Sequence, residues 1–306
     1  MFLLIGGDSE IGVATIRHLA TQNMPALATT RRPERVGGRI ELLDLSRPLN
    51  HWEPPASASA ACIFAAVSRL AACAIEPEAS AFINVEQTLA LAARLLARGL
   101  YVLFMSSNQV FDGSVAKIGA DAPTCPVSEY GRQKARTEAA LRQYMDRGAP
   151  VGILRLAKVV SPDMKLMHGW IDALKAGRSI RAFHDMRMAP APTEMVVRAI
   201  THLLRDKACG IFQFSGPRDV SYLEIGYRLA KRIGAAPSRV ERVSAIEAGQ
   251  PLGATPCHTT LDSSALRGHY GLIVPDAWVV LETPILQSSA PDWSAPEATN
   301  RLRPRR

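Results

Sequence analysis

Short apolar runs alternate with amphipathic stretches through the first half of the chain. The runs are "FLLI" (2–5), "PALAT" (25–29), "RIELL" (39–43), "CIFAA" (62–66), "YVLFM" (101–105) and "VGILRL" (151–156). Between them, Ile11 to Gln22, Glu78 to Arg98 and Glu129 to Met145 repeat apolar residues at helical spacing. Strands that read as unbroken hydrophobic runs are covered on both faces, and strand–helix–strand order calls for parallel pairing. The pattern predicts an α/β protein with a doubly wound, Rossmann-type parallel sheet, whose ligands sit beyond the carboxyl ends of the strands.

After residue 157 the alternation loosens. A helix is predicted over Lys165 to Ala176, then the short run "SIRAF", the proline-rich "MAPAPT", a helix over Glu194 to Arg205, the strand "GIFQFS" and a helix over Ser221 to Ile233. This divides the chain into a dinucleotide-binding domain over 1–157, a smaller α/β substrate domain over 158–285 with some elements returning to the first sheet, and a disordered tail over 286–306.

Composition narrows the picture. With 47% apolar and 21% charged residues in 306, the chain can bury a sizeable core. No apolar run reaches about 18 residues and "MFLLIGGDSE" lacks a signal-peptide core, so no membrane partner is expected and the location is read as cytoplasmic. Half of the net charge of +8 comes from Arg301, Arg303, Arg305 and Arg306, and the rest forms no basic stripe, which argues against nucleic acid. The five cysteines show no CxxC or metal-ligand spacing, so no metal site is expected.

The turn after the first strand, "IGGDSEIG", leads Gly6, Ser9, Ile11 and Gly12 into a helix whose first amides can hold a pyrophosphate. An acid at the end of the second strand would bind the adenosine ribose of NAD. Here "ATTRRPER" puts Thr30 at that position, followed by Arg31 and Arg32, a pair suited to the extra phosphate of NADP. NADP(H) is therefore the preferred cofactor and NAD(H) the alternative. Asp44 and Leu45, at the end of "IELLDL", are candidates for the adenine edge, and Ala65 and Ala66 end the next strand beside the dinucleotide. Asp44 is equally suited to capping a loop.

Two helices carry a YxxxK pair, Tyr130/Lys134 in "SEYGRQK" and Tyr227/Lys231 in "YRLAK". Spacing alone does not separate them, since residues i and i+4 share a helix face in both. Tyr227 and Lys231 fall off the apolar stripe of their helix and read as a solvated face. Tyr130 follows a strand that ends in "SSNQVFDG", at the edge where ligands bind. A serine there can hydrogen-bond a carbonyl oxygen while a nearby phenol donates its proton, with lysine lowering the phenol pKa.

These motifs resemble the extended short-chain dehydrogenase/reductases, and within them the dTDP-4-dehydrorhamnose reductase (sugar nucleotide reductase) group. "SSNQVFDG" is similar to that group's "STDYVFDG", and "YGRQK" to its "YGxxK". The resemblance implies Ser107, Tyr130 and Lys134 as catalytic residues, continues through Asn84 in "EPEASAFINVEQTLALAARL", "GIFQFSGPRDVSYLEIG" and "TTLDSSAL", and covers the chain to about residue 285. It implies an NADP-dependent reductase of a keto-sugar nucleotide, with the small-molecule nucleotide sugar as partner and a homodimer through helices flanking the sheet. Lys158, Arg187 and Arg218 are cations available to a diphosphate. Two other readings stay open: a sugar nucleotide epimerase or dehydratase that retains its cofactor, and a non-catalytic dinucleotide-binding regulatory subunit. The chain departs from the group where Ser9 replaces the middle glycine between Asp8 and Glu10, which implies a displaced loop or weaker cofactor binding. It also departs at Asn108 and Gln109, which stand beside the expected substrate.

Overall fold

The computed structural model describes residues 1–287 apart from Asn50, His51, Ala65 and Leu252. Seven parallel strands form the central sheet: β1 (Phe2–Ile5), β2 (Ala26–Thr30), β3 (Ile40–Leu42), β4 (Ala60–Ile63), β5 (Tyr101–Ser107), β6 (Val151–Leu156) and, much later in the chain, β11 (Gly210–Phe214). Their spatial order is β11-β6-β5-β4-β1-β2-β3. The order reverses at β1, the switch point at which doubly wound sheets open a crevice for ligands. The apolar runs are buried as their pattern requires: β4, β6 and the first six residues of β5 have no exposed side chain.

Helices cover both faces. On one side α1 (Glu10–Thr21) packs beside α7 (Thr193–Asp206) and α9 (Ser264–Tyr270), burying Leu19, Val196, Ile200, Leu203 and Leu266 against Leu4, Leu103 and Leu154. On the other, α4 (Thr88–Ala97) and α5 (Glu129–Asp146) bury Leu91, Leu95 and Leu141 against Leu3, Val102 and Ile153. The helix predicted over 78–98 is present as one run from Pro77 to Ala97, widened in its interior, and a separate short helix precedes it. Helix α2 (Leu70–Ile75) stops before Pro77, which opens α3 (Pro77–Ala81), and a wide turn of π type over Phe82–Gln87 leads into α4. Proline suits a first helical turn and interrupts a helix interior, so Pro77 sets the break. The wide turn buries Asn84, whose side chain accepts from Val67 N (2.7 Å) and donates to Val67 O (3.0 Å) and Gln133 Oε1 (2.7 Å).

A second, smaller core gathers α6 (Lys165–Lys175), α8 (Tyr222–Arg232) and α10 (Ala277–Gln287) around β8 (Ile180–Phe183) and its parallel partner β13 (Val240–Val243). Two-residue pairings tie the loops between: β7 (Val159–Val160) with β10 (Ala191–Pro192), and β9 (Arg187–Met188) with β12 (Val220–Ser221). Helix α10 continues through Gln287, two residues into the segment expected as tail; residues 288–306 lie outside the described residues. No helix among the described residues is long and apolar enough to cross a membrane.

One buried ion pair joins the sheet to α5. Arg155 in β6 and Glu138 are both essentially inaccessible, with Arg155 Nη2 donating to Glu138 Oε2 at 2.6 Å. The guanidinium also donates to Ala120 O (2.9 Å) and Gln213 Oε1 (3.3 Å). A charge so deep is tolerable only because its donors are met in this way.

Candidate active site

The first turn adopts the conformation its glycines allow. Gly6 has φ +71°, in the left-handed region, and its N–H donates to Thr29 Oγ1 at 3.1 Å. A Cβ on Gly12 would stand 2.7 Å from both the Cα and the carbonyl oxygen of Gly7, so the helix can approach the turn only with glycine there. Ser9, in place of a third glycine, caps α1: its Oγ accepts from Gly12 N at 3.2 Å. The serine thus engages one of the first amides of α1.

Beyond the carboxyl ends of the strands runs a groove with two chambers. One, of about 510 Å³, is lined by Gly6, Asp8, Arg31, Arg32 and Leu45. The other, of about 810 Å³, is lined by Ile11, Ser107, Tyr130, Lys134, Lys158, Arg187 and Tyr222, among others. Ser9 and Ala66 line both, so the chambers meet at the α1 N-terminus. The cradle fits a dinucleotide: a glycine turn, an open helix start and an elongated groove leading to a tyrosine and lysine. Ala65 lies outside the described residues. Asp44 lies between Leu43 and Leu45, which line the smaller chamber; its carboxylate accepts from Ser46 N at 2.9 Å and lies 3.8 Å from Arg47 Nε.

Of the two arginines that follow β2, both line the smaller chamber and Arg32 sits in an ion cluster. Asp8 Oδ2 accepts from Thr30 Oγ1 at 2.9 Å and lies 3.8 Å from both Arg32 Nε and Arg35 Nη1. Arg35 was not singled out from the sequence; it lies three residues past Arg32 in the short 3₁₀ turn Pro33–Arg35, which folds it back toward the glycine turn.

At the other end, the extended end of β5 and the first turn of α5 bring Ser107, Tyr130 and Lys134 together. Ser128 caps α5, accepting from Gly131 N at 3.1 Å. A Cβ on Gly131 would run into the Gln109 carbonyl, so this glycine sets how near the helix comes to the strand end. Lys134 is 2% exposed; its Nζ donates to Met105 O at 2.7 Å and lies 4.3 Å from the Phe104 ring centre and 5.8 Å from that of Tyr130. Burial lowers the Lys134 pKa from an ordinary 10.5 to about 8, opposed by the field of Glu138 one turn on. The Tyr130 phenol is pushed up by burial, against a hydrogen bond with Ser107. The lowering by lysine expected from the sequence does not emerge: burial dominates, only the Ser107 hydrogen bond opposes it, and the phenol keeps its proton.

Asn108 lines the large chamber as expected, but Gln109 is bound on both sides: Nε2 donates to Gly253 O at 3.0 Å and Oε1 accepts from Ser128 Oγ at 3.0 Å. It fastens the segment around Gly253, which sequence reasoning did not place at the site. Of the three candidate diphosphate cations, Lys158 and Arg187 line the chamber. Arg218 is instead paired with Asp276 at 2.7 Å and lies over Trp278. The second tyrosine, Tyr227, is 43% exposed and does not line the groove, with Lys231 also exposed.

Known proteins resemble this chain in sequence and in fold. A dTDP-4-keto-6-deoxy-D-glucose reductase of Streptomyces niveus is 23% identical over 283 residues, covering 90% of this chain and 89% of that protein. The methionine adenosyltransferase 2 subunit beta of Xenopus laevis is 24% identical over 204 residues, 63% of this chain and 59% of its own. Among solved structures, the dTDP-4-dehydrorhamnose reductase of Bacillus anthracis in complex with NADP superimposes with a TM-score of 0.75 at 16% identity, covering 94% of this chain and 97% of its own, a likeness of fold. The profile of the RmlD substrate binding domain family matches residues 1–283, from the glycine turn through both cores, and the chain therefore belongs to that family.

Proposed function

We propose that the protein is a reductase of a keto-sugar nucleotide that uses NADP(H) in preference to NAD(H). The observation that carries this reading is the meeting of Ser107, Tyr130 and Lys134 in a chamber that adjoins the one lined by the glycine turn. A bound reduced nicotinamide would supply the hydride to the carbonyl carbon. Tyr130, its phenol kept protonated by burial, donates its proton to the carbonyl oxygen, and the Ser107 hydroxyl orients that oxygen. Lys134, fixed by the Met105 carbonyl, supplies positive charge beside the tyrosine as the phenol gives up its proton.

The substrate class is supported by Lys158 and Arg187, two cations facing the large chamber, with Tyr222 as an aromatic wall for a base or sugar ring. The names of the reductases it resembles point the same way.

The test is reduced-nicotinamide consumption with a panel of keto-sugar nucleotides, beginning with a dTDP-linked 4-keto-6-deoxyhexose. Turnover with one of them supports the reading. Tight NADPH binding with no turnover of any, together with copurification of a stoichiometric enzyme partner, would favour the regulatory-subunit alternative suggested by the adenosyltransferase relative. Product formation without net nicotinamide consumption would favour an epimerase or dehydratase.

A further inference from the structure

Asp8 has no counterpart in the expected glycine turn, yet its surroundings are built around it. Thr30 stands at the end of β2, where a NAD site places the acid that binds the adenosine ribose. Its hydroxyl has a single proton. Arg32 N donates to Thr30 Oγ1 at 3.1 Å, so the hydroxyl is turned to give that proton to Asp8 Oδ2 at 2.9 Å. A carboxylate is thereby delivered to the ribose position from the neighbouring loop. The hydrogen bond and both ion pairs converge on Oδ2, and among the described residues Asp8 Oδ1 accepts no hydrogen bond. Asp8 lines the smaller chamber, with its carboxylate partly exposed.

The cations around it are loosely held. Arg32 and Arg35 each lie 3.8 Å from Oδ2, beyond hydrogen-bond range, with side chains 45% and 47% exposed. Such pairs exchange partners readily. A 2′-phosphate would draw both guanidinium groups to itself but would settle close to a fixed negative charge. Repulsion at about 4 Å in a half-exposed site is worth roughly tenfold in affinity, which is about 1.4 kcal/mol.

We propose that Asp8 is a cofactor-selectivity residue: its carboxylate accepts a ribose hydroxyl of NAD(H) and opposes the 2′-phosphate of NADP(H), while Arg32 and Arg35 together attract that phosphate. The inference rests on the dinucleotide reading above. Selectivity here is a balance struck inside one ion cluster, and removing either sign tips it.

The experiment is to measure the dissociation constants of NADPH and NADH by nicotinamide fluorescence for the wild type, Asp8→Asn, Asp8→Ser and Arg35→Ala, with thermal melting of each. Asp8→Asn keeps an acceptor for Thr30 while removing the charge. Both Asp8 variants are expected to bind NADPH about tenfold tighter and NADH about threefold more weakly, and Arg35→Ala to lose about tenfold for NADPH with NADH changed less than about twofold. A wild type that binds both cofactors, with an affinity ratio that folded Asp8 variants leave unchanged, would overturn the inference and leave the dinucleotide reading standing. A wild type that binds neither cofactor would overturn both.

Discussion

Helices α5 and α8 carry the same tyrosine–lysine spacing and put it to opposite uses. On α5 the pair faces the sheet: Tyr130 is partly buried, Lys134 almost fully, and both line the groove. On α8 the stripe that packs is Ile225, Gly226 and Leu229, which leaves Tyr227 and Lys231 in solvent. The spacing guarantees only that phenol and ammonium share a face. What makes that face chemical is where the helix starts, and α5 starts against the end of β5 because Gly131 permits the Gln109 carbonyl to approach. Burial then sets both pKa values, while the α8 pair meets no such environment.

The comparison can be broken most decisively at Tyr130. Tyr130→Phe is expected to lower kcat by about a thousandfold through loss of the proton donor, with NADPH affinity nearly unchanged, whereas Tyr227→Phe leaves kcat intact. Steady-state kinetics with equilibrium cofactor binding checks both; a Tyr130 variant at full rate would remove the catalytic distinction between the helices.

One turn beyond Lys134, Glu138 pairs with Arg155, a feature α8 lacks, since Ala235 follows Lys231 at the same interval. Glu138→Gln leaves a guanidinium buried without its counter-charge and is expected to destabilise the fold by about 3–5 kcal/mol in denaturant unfolding. Its loss also removes a field that raises the Lys134 pKa, so the lysine should titrate at lower pH.

The pH dependence sharpens the contrast further. Lys134 loses its proton at about 8 in the folded protein and at an ordinary 10.5 when unfolded. Turnover in the proposed reaction is therefore expected to fall about tenfold per pH unit above about 8, and the fall to disappear in Lys134→Arg. In the same window, from about 8 to 10.5, the unfolded chain binds the extra proton, so this group makes stability rise with pH; Lys134→Met should flatten that rise in melts across the range. The smallest effect is expected for Lys231→Met, within about 0.5 kcal/mol of wild-type stability and without change in the pH profile.

How much of this was written in the sequence follows from what each signal depends on. The strands were legible because continuous apolar runs have few other uses, and Ser107, Tyr130 and Lys134 because a strand end and a helix start fall in fixed order. The short helix before Pro77 and the π-type turn at Asn84 were not, since that turn is held by Val67 and Gln133, one 17 residues before it and the other 49 after. Arg155 gave a signal that could have been used: an arginine inside a run predicted to be buried on both faces demands an acid partner, and Glu138 supplies it. Arg35 and the Gly253 segment owe their places to backbone turns that no residue pattern announces.

The position of β11 has a consequence for modularity. Gly210–Phe214 completes the sheet beside β6, after the chain has already built much of its second core, and Gln213 completes the polar shell of Arg155. A protease or an engineer dividing the chain near residue 157 would gain no free-standing first half. The severed fragment would carry β6 as a raw hydrogen-bonding edge, an arginine short of a partner, and α1 stripped of the helix it leans on. The two lobes are interlaced by β11, α7 and α9, and they should be inherited, truncated or transplanted only together.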